Sequence, residues 1–136
     1  MAATLVDSNV LIDILRGDAG WTAWSDEALV EALESGAAFV NQVVYAEVSV
    51  GFSTVEACDW ALEAQGIERI PLPWPAAFLA GRAFVEYRRR GGTKRSSLPD
   101  FFIGAHAAVA GLSLLTRDPT RYRSYFPTVE LIAPEA

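Results

Sequence analysis

Short apolar runs separated by helix-length segments constrain this chain more than any other feature. The runs fall at Leu5-Val6 and at residues 37–40, 67–72, 113–116 and 129–132. Strand-length runs alternating with helical segments build a parallel sheet with helices on both faces. Helices are expected over residues 10–16, closed by Gly17, over 19–35, stopped by Gly36, and over 42–52. Ser53-Thr54-Val55-Glu56 has capping-box spacing and starts another helix, which ends before Gly66. Pro71, Pro73 and Pro75 force a turn into a helix lasting to about Arg90, and residues 91–97 read as a flexible loop. Residues 100–110 form a helix of small residues that packs close against the sheet. With no repeat, low-complexity tract or linker in 136 residues, one α/β domain spanning 1–136 is expected.

Composition narrows the setting. Hydrophobic residues make up 51% of the chain and charged ones 21%, which excludes a disordered protein. Asn41, Gln42 and Glu47 interrupt the most apolar region, so no run spans a bilayer, and the N-terminus carries no secretory pattern. A lone cysteine, Cys58, excludes an internal disulfide and suits a reducing cytoplasm, where it serves as a small buried hydrophobe. Trp21, Trp24, Trp60 and Trp74 read as core or helix-packing residues, with Trp21 and Trp24 sharing a face open to a partner.

Four acids stand where a carboxylate needs a reason to be. Asp7 ends the opening apolar run, Glu47 interrupts residues 43–52, Asp100 heads the small-residue helix, and Asp118 follows Leu112-Ser113-Leu114-Leu115. Carboxyl ends of strands and starts of helices line the crevice of an open α/β sheet. Acids converging there repel one another unless a hard cation such as Mg²⁺ or Mn²⁺ lies between them. Each also has a plain alternative. Asp7 suits a helix cap, Ser97-Leu98-Pro99-Asp100 matches a capping box, Asp118-Pro119 matches a cap followed by proline, and Glu47 could face water. Capping explains any one of them and not the set.

The net charge of −6 speaks against a polyanionic partner, yet setting the four acids aside leaves −2. Arg88, Arg89, Arg90, Lys94 and Arg95 cluster around Gly91-Gly92, and Arg117, Arg121 and Arg123 follow Asp118's strand. Such segments are ordinarily solvated surface; beside acidic candidates they suit a polyanion. Asp13, Asp18 and Asp26 fall on polar faces or in turns. His106 is the sole histidine and reads as a partly buried, hydrogen-bonded residue rather than a ligand, which leaves histidine triads and zinc sites unsupported. No Walker loop or dinucleotide fingerprint is present.

Leu5-Val6-Asp7-Ser8-Asn9-Val10-Leu11-Ile12 resembles the start of PIN-domain nucleases. The resemblance continues through Val44-Tyr45-Ala46-Glu47-Val48, Leu98-Pro99-Asp100-Phe101-Phe102-Ile103-Gly104-Ala105 and Leu114-Leu115-Thr116-Arg117-Asp118. The tail Tyr122-Arg123-Ser124-Tyr125-Phe126-Pro127 is similar to the ending of VapC-type toxins of that superfamily. Four motifs in order cover essentially the whole chain. The resemblance implies a three-layer α/β/α PIN-like domain around a parallel sheet and a Mg²⁺- or Mn²⁺-dependent ribonuclease. It further implies a cognate antitoxin and a homodimer. Its acidic pattern maps onto Asp7, Glu47, Asp100 and Asp118, with Ser8, Asn9 and Thr116 ordering the pocket.

The chemistry agrees with the residue types. RNA hydrolysis needs an activated water, a neutralised phosphoryl oxygen and a stabilised leaving oxygen, and carboxylate-held metal serves all three. Asp7, Asp100 and Asp118 are expected to ligate directly, with Glu47 acting through water or orienting the nucleophile. Arg90, Lys94, Arg95 and Arg117 are expected to guide the RNA backbone. Two rivals differ in kind. A phosphatase or phosphotransferase would use Asp7 as nucleophile, but Asn9 and the single Lys94 suit it poorly. A non-catalytic PIN-fold binding module would ordinarily have lost an acid, and none is lost.

Overall fold

In a computed structural model, which describes residues 3–17, 20–94 and 98–135, five strands form one parallel sheet. The strands are β1 Thr4–Val6, β2 Ala38–Val40, β3 Ile67–Arg69, β4 Ser113–Leu115 and β5 Leu131–Ile132, in the order β3-β2-β1-β4-β5. Seven helices occur among the described residues: α1 Ser8–Arg16, α2 Thr22–Ser35, α3 Gln42–Ser49, α4 Val55–Ala64, α5 Trp74–Arg89, α6 Leu98–Ala110 and α7 Thr120–Tyr125. The central strand β1 is buried on both faces, as are Leu114 and Leu115 beside it. Covering both faces of a parallel sheet takes a helical layer on each, which gives the expected three-layer α/β/α architecture.

Strand order reverses at β1, which pairs with β2 on one side and β4 on the other. Such a reversal leaves a crevice at the carboxyl ends of the two diverging strands, where ligands of open α/β sheets bind. Asp7 follows β1 directly, and its backbone N–H donates to the Leu115 carbonyl of β4 at 2.8 Å. The crevice therefore opens at Asp7 and Thr116.

Local signals place most element ends. Gly17 closes α1 in the left-handed region at φ 69°, which glycine adopts without a Cβ penalty. The helix after Gly51 begins one residue later than the capping-box spacing suggested: Thr54, not Ser53, caps it by accepting from Ala57 N. Residues 67–72 supply only a three-residue strand, because the prolines that follow remove ladder donors.

Helix α6 departs from expectation. Its close approach is not to the sheet alone, for a Cβ on Gly104 would overlap the Phe126 ring and crowd Tyr122 of α7. Gly104→Ala is expected to cost about 1–3 kcal/mol by overpacking, read as a lower urea midpoint at unchanged slope. An unchanged midpoint would show that α7 yields freely.

The tryptophans also divide. Trp24 packs against the core and meets Trp21 edge-on, but Trp60 and Trp74 are exposed, at 72% and 88%. They lie outside the buried stripes of their helices, Cys58-Ala61-Leu62 in α4 and Ala76-Ala80-Ala83 in α5. Cys58 is buried as expected. Among the described residues, no helix is long and apolar enough to cross a membrane.

Candidate active site

Asp7 is the centre of the crevice and is 4% exposed. Its Oδ1 accepts from the Ser8 backbone N–H at 2.7 Å, the bond that caps α1. Its Oδ2 accepts from Thr116 Oγ1 at 2.8 Å and from Tyr122 Oη at 2.9 Å. A carboxylate offers about four lone-pair sites, and these three donors leave room for a ligand at Oδ1. Asp7 thus serves as cap and as crevice carboxylate at once, so the two roles are not alternatives.

The other acids gather around it. Ser8 Oγ donates to Glu47 Oε1 at 2.9 Å, tying α1 to α3. Glu47 is half-buried on the flank of α3, whose buried residues are Val44 and Val48. Asp100 lies in the first turn of α6, and its Oδ2 accepts from Arg121 Nη1 at 2.7 Å. Asp118 is exposed and approaches Asn9 Nδ2 at 3.4 Å. It does not cap α7, whose N-cap is Pro119 without a side-chain bond. The cap proposed for α6 at Ser97 lies outside the described residues.

Asn9 joins the strand ends. Its Oδ1 accepts from Arg117 N at 3.2 Å while its Nδ2 faces Thr116 Oγ1 and Asp118 Oδ2, both at 3.4 Å. Thr116, fully buried, accepts from Asp118 N at 3.1 Å and donates to Asp7. Ser8, Asn9 and Thr116 therefore each touch one or more of the acids through a definite hydrogen bond.

Electrostatics show the acids acting on one another. Burial raises the Asp7 pKa from 3.8 to about 6; hydrogen bonds from Thr116 and Tyr122 oppose the rise, and the charge of Asp100 adds to it. Burial raises Glu47 first, with Asp100 adding and Ser8 opposing. Asp100 is raised by burial and by Asp118, against the pull of Arg121. Tyr122 is pushed well above its usual value by burial and then by the charges of Asp7 and Asp100, so it stays a hydroxyl donor at neutral pH.

Whether a divalent ion suits these residues turns on that mutual repulsion. Hard carboxylate oxygens that destabilise one another's charge are the donor set Mg²⁺ or Mn²⁺ prefers. As the side chains stand, no three acidic, histidine or cysteine groups among the described residues are close enough to hold one ion. Arg121 supplies the counter-charge at Asp100 instead. The donor chemistry fits such an ion, and one bound at Asp100 Oδ2 would take the place of Arg121 there.

Several residues are not where the sequence suggested. Asp13 is not on a polar face: it is 3% exposed and accepts from Ser25 Oγ at 2.9 Å. Arg117 Nε lies 3.0 Å from Asp13 Oδ2, close enough for an ion pair though off the hydrogen-bond direction, and its guanidinium stands over Trp21. Arg117 is therefore drawn inward toward α1 and α2. His106 is fully rather than partly buried, with Asn41 Nδ2 at 3.1 Å from Nδ1 and Nε2 unpartnered. Arg90 ion-pairs with Glu86 and stands over Tyr125, Lys94 is exposed, and Arg95 lies outside the described residues. Sequence reasoning missed Tyr122 as a partner of Asp7. The four-residue spacing of Tyr122 and Phe126 marks a buried helix face, but nothing local signals where the hydroxyl ends.

An apolar hollow of about 500 Å³, lined by Val43, Ala46, Leu98, Pro99 and Phe102, opens beside Glu47.

Comparison with known proteins bears on the fold and the family. No curated protein matches the sequence. Among solved structures, a chain of the VapBC2 crystal structure from Rickettsia felis, bound to a promoter DNA fragment, superposes with a TM-score of 0.74 at 16% identity, covering 98% of this chain and 99% of that one. A chain of DNA-bound VapBC from Salmonella typhimurium gives 0.69 at 18% identity, covering 98% of each. A chain of a toxin-antitoxin complex from Klebsiella pneumoniae gives 0.66 at 23% identity, covering 97% and 98%. These likenesses establish the shared fold. The PIN domain pattern matches residues 4–125, nearly the whole length, and the chain belongs to the PIN-domain family.

Proposed function

We propose that this protein is a divalent-metal-dependent ribonuclease of the VapC type, the toxin of a toxin–antitoxin pair. The observation that carries the reading is Asp7: a buried carboxylate at the strand-order reversal, oriented by three donors and raised by the charge of Asp100. Asp7, Asp100 and Asp118 would hold Mg²⁺ or Mn²⁺, with Glu47 beside it. Such an ion, when bound, neutralises phosphoryl charge and activates water.

The chain's own groups do the positioning. Thr116 and Tyr122 fix Asp7 Oδ2, Ser8 turns Glu47 toward the pocket, and Asn9 holds the segment carrying Asp118. Glu47, its carboxyl raised by burial, is suited to accept a proton from the attacking water. In-line attack at phosphorus would leave a 5′-phosphate and a 3′-hydroxyl. The hollow beside Glu47, with Phe102 in its wall, suits an unpaired base. Arg90, Lys94 and Arg95 would guide the backbone; Arg117, committed to Asp13, would contribute through its field rather than by contact.

The structures superposed above come from toxin–antitoxin complexes, which supports a cognate antitoxin here. Exposed Trp74 and Phe78 on α5 supply apolar surface for a homodimer.

The direct test is incubation of purified protein with a single-stranded RNA ladder. Cleavage with millimolar Mg²⁺ or Mn²⁺, stopped by EDTA, is the expected result. Equal cleavage in EDTA would remove the metal mechanism. A trapped phospho-aspartate at Asp7 without RNA cleavage would favour a phosphotransferase.

A further inference from the structure

Arg121 is the one arginine whose side chain forms an ion pair with a crevice acid among the described residues. It is second in α7, next to Tyr122, whose hydroxyl anchors that helix to Asp7. Nη1 lies 2.7 Å from Asp100 Oδ2, and the guanidinium carbon stands 5.6 Å from the Tyr87 ring centre and 6.0 Å from that of Phe101. The pair is neither buried nor free, for the two side chains are 31% and 35% exposed. An ion pair in that position exchanges partners without the cost of stranding a charge in the core.

One carboxylate oxygen cannot serve a guanidinium and a divalent cation equally well, because the two positive charges repel. A cation that takes Asp100 Oδ2 displaces Arg121 from it. Tethered by α7 and by the two aromatic faces, the displaced guanidinium stays at the crevice mouth. Its planar fork matches the oxygens of a phosphate.

We propose that Arg121 has two states in this site: counter-ion to Asp100 before the divalent cation enters, and ligand of the RNA phosphate afterwards. The inference rests on the metal-dependent nuclease reading and assigns Arg121 a role in it. The first state holds the acidic cluster compensated when cation is scarce. The second places a positive charge beside the phosphate only once the site is loaded.

The two states require opposite responses from a single substitution, which a merely structural arginine would not give. Mn²⁺ affinity is measured on intact protein by electron paramagnetic resonance of the free ion. RNA affinity is measured at saturating Mn²⁺ by stopped-flow anisotropy with a single-stranded RNA oligonucleotide, read before hydrolysis proceeds. Arg121→Met is expected to tighten Mn²⁺ binding about fivefold, the scale of a partly exposed ion pair removed as competitor. It is expected to weaken oligonucleotide binding about tenfold, the scale of one charged phosphate contact. Arg121→Lys should restore part of both effects. Arg123→Met, which removes the same charge from an exposed position on the same helix, sets the contribution of net charge alone.

Mn²⁺ affinity in Arg121→Met no tighter than in Arg123→Met overturns the counter-ion state. Oligonucleotide binding no weaker than in Arg123→Met overturns the phosphate state, and either result alone overturns the two-state assignment. Wild type that binds Mn²⁺ and oligonucleotide but cuts no RNA overturns the nuclease reading instead, leaving the Arg121 comparison standing. Circular dichroism melts of each variant confirm that folded protein is being compared.

Discussion

Asp7→Asn and Asp100→Asn are each expected to lower RNA cleavage by at least ~10²-fold while the protein remains folded. The magnitude follows from what the carboxylates are proposed to do: losing one disables the ion that supplies most of the transition-state stabilisation. The two positions test the idea differently. Asp7 is buried and hydrogen-bonded on both oxygens, so its substitution also disturbs Thr116 and Tyr122. Asp100 is about one-third exposed and bonds Arg121, so its substitution leaves the core untouched. Single-turnover cleavage of a labelled RNA, alongside thermal melts, supplies both readouts. Undiminished cleavage by a folded Asp100→Asn protein would return that residue to the role of a helix-start acid.

The second large effect is on stability. In EDTA, the wild type is expected to gain stability as the pH falls from about 7.5 to about 5, contrary to ordinary acid denaturation. Asp7 drives this. Its pKa stands at about 6 in the fold against 3.8 for the free side chain, so between those values the folded chain binds the proton that the unfolded chain releases. Ionised Asp7 therefore costs the fold on the order of 3 kcal/mol above pH 6, and that cost is relieved as the pH drops toward 3.8. Glu47 and Asp100, both raised by burial, act in the same direction. His106, lowered by burial, opposes them, because its unfolded imidazole takes a proton that the buried one resists.

Asp7→Asn isolates the contribution. An asparagine cannot ionise, so the mutant should respond less to pH and be at least as stable as wild type at pH 7.5. Because the amide nitrogen cannot accept, one or two of the three accepted hydrogen bonds are lost, which offsets part of the gain by about 1–2 kcal/mol. If Asp7 were only a helix cap, the mutant would instead be less stable at pH 7.5, by up to about 1 kcal/mol. Urea titrations of both proteins across this pH range, in EDTA, measure the difference directly. Parallel curves would show that Asp7 is not the titrating group.

What was legible in the sequence is what depends on neighbours along the chain. Strand and helix periodicity, the glycine after α1 and the prolines before α5 act within a few residues, and they suffice for a parallel sheet with its helices. The acids at Asp7, Glu47, Asp100 and Asp118 stood out because each breaks a local apolar pattern or follows a strand. Their chemistry as a set was inferable; their bonding was not. Asp13 shows why. Its own segment gives no sign that Ser25 and Arg117 will surround it, since those contacts close over 12 and 104 residues of chain. The tyrosine at 122 meets Asp7 across 115 residues, and only the reversal of strand order at β1 brings α7 over that carboxylate. The sequence alone determined which elements form and which residue types can do chemistry. Tertiary structure decided which oxygen each donor reaches, because packing sets that geometry and no local preference encodes it.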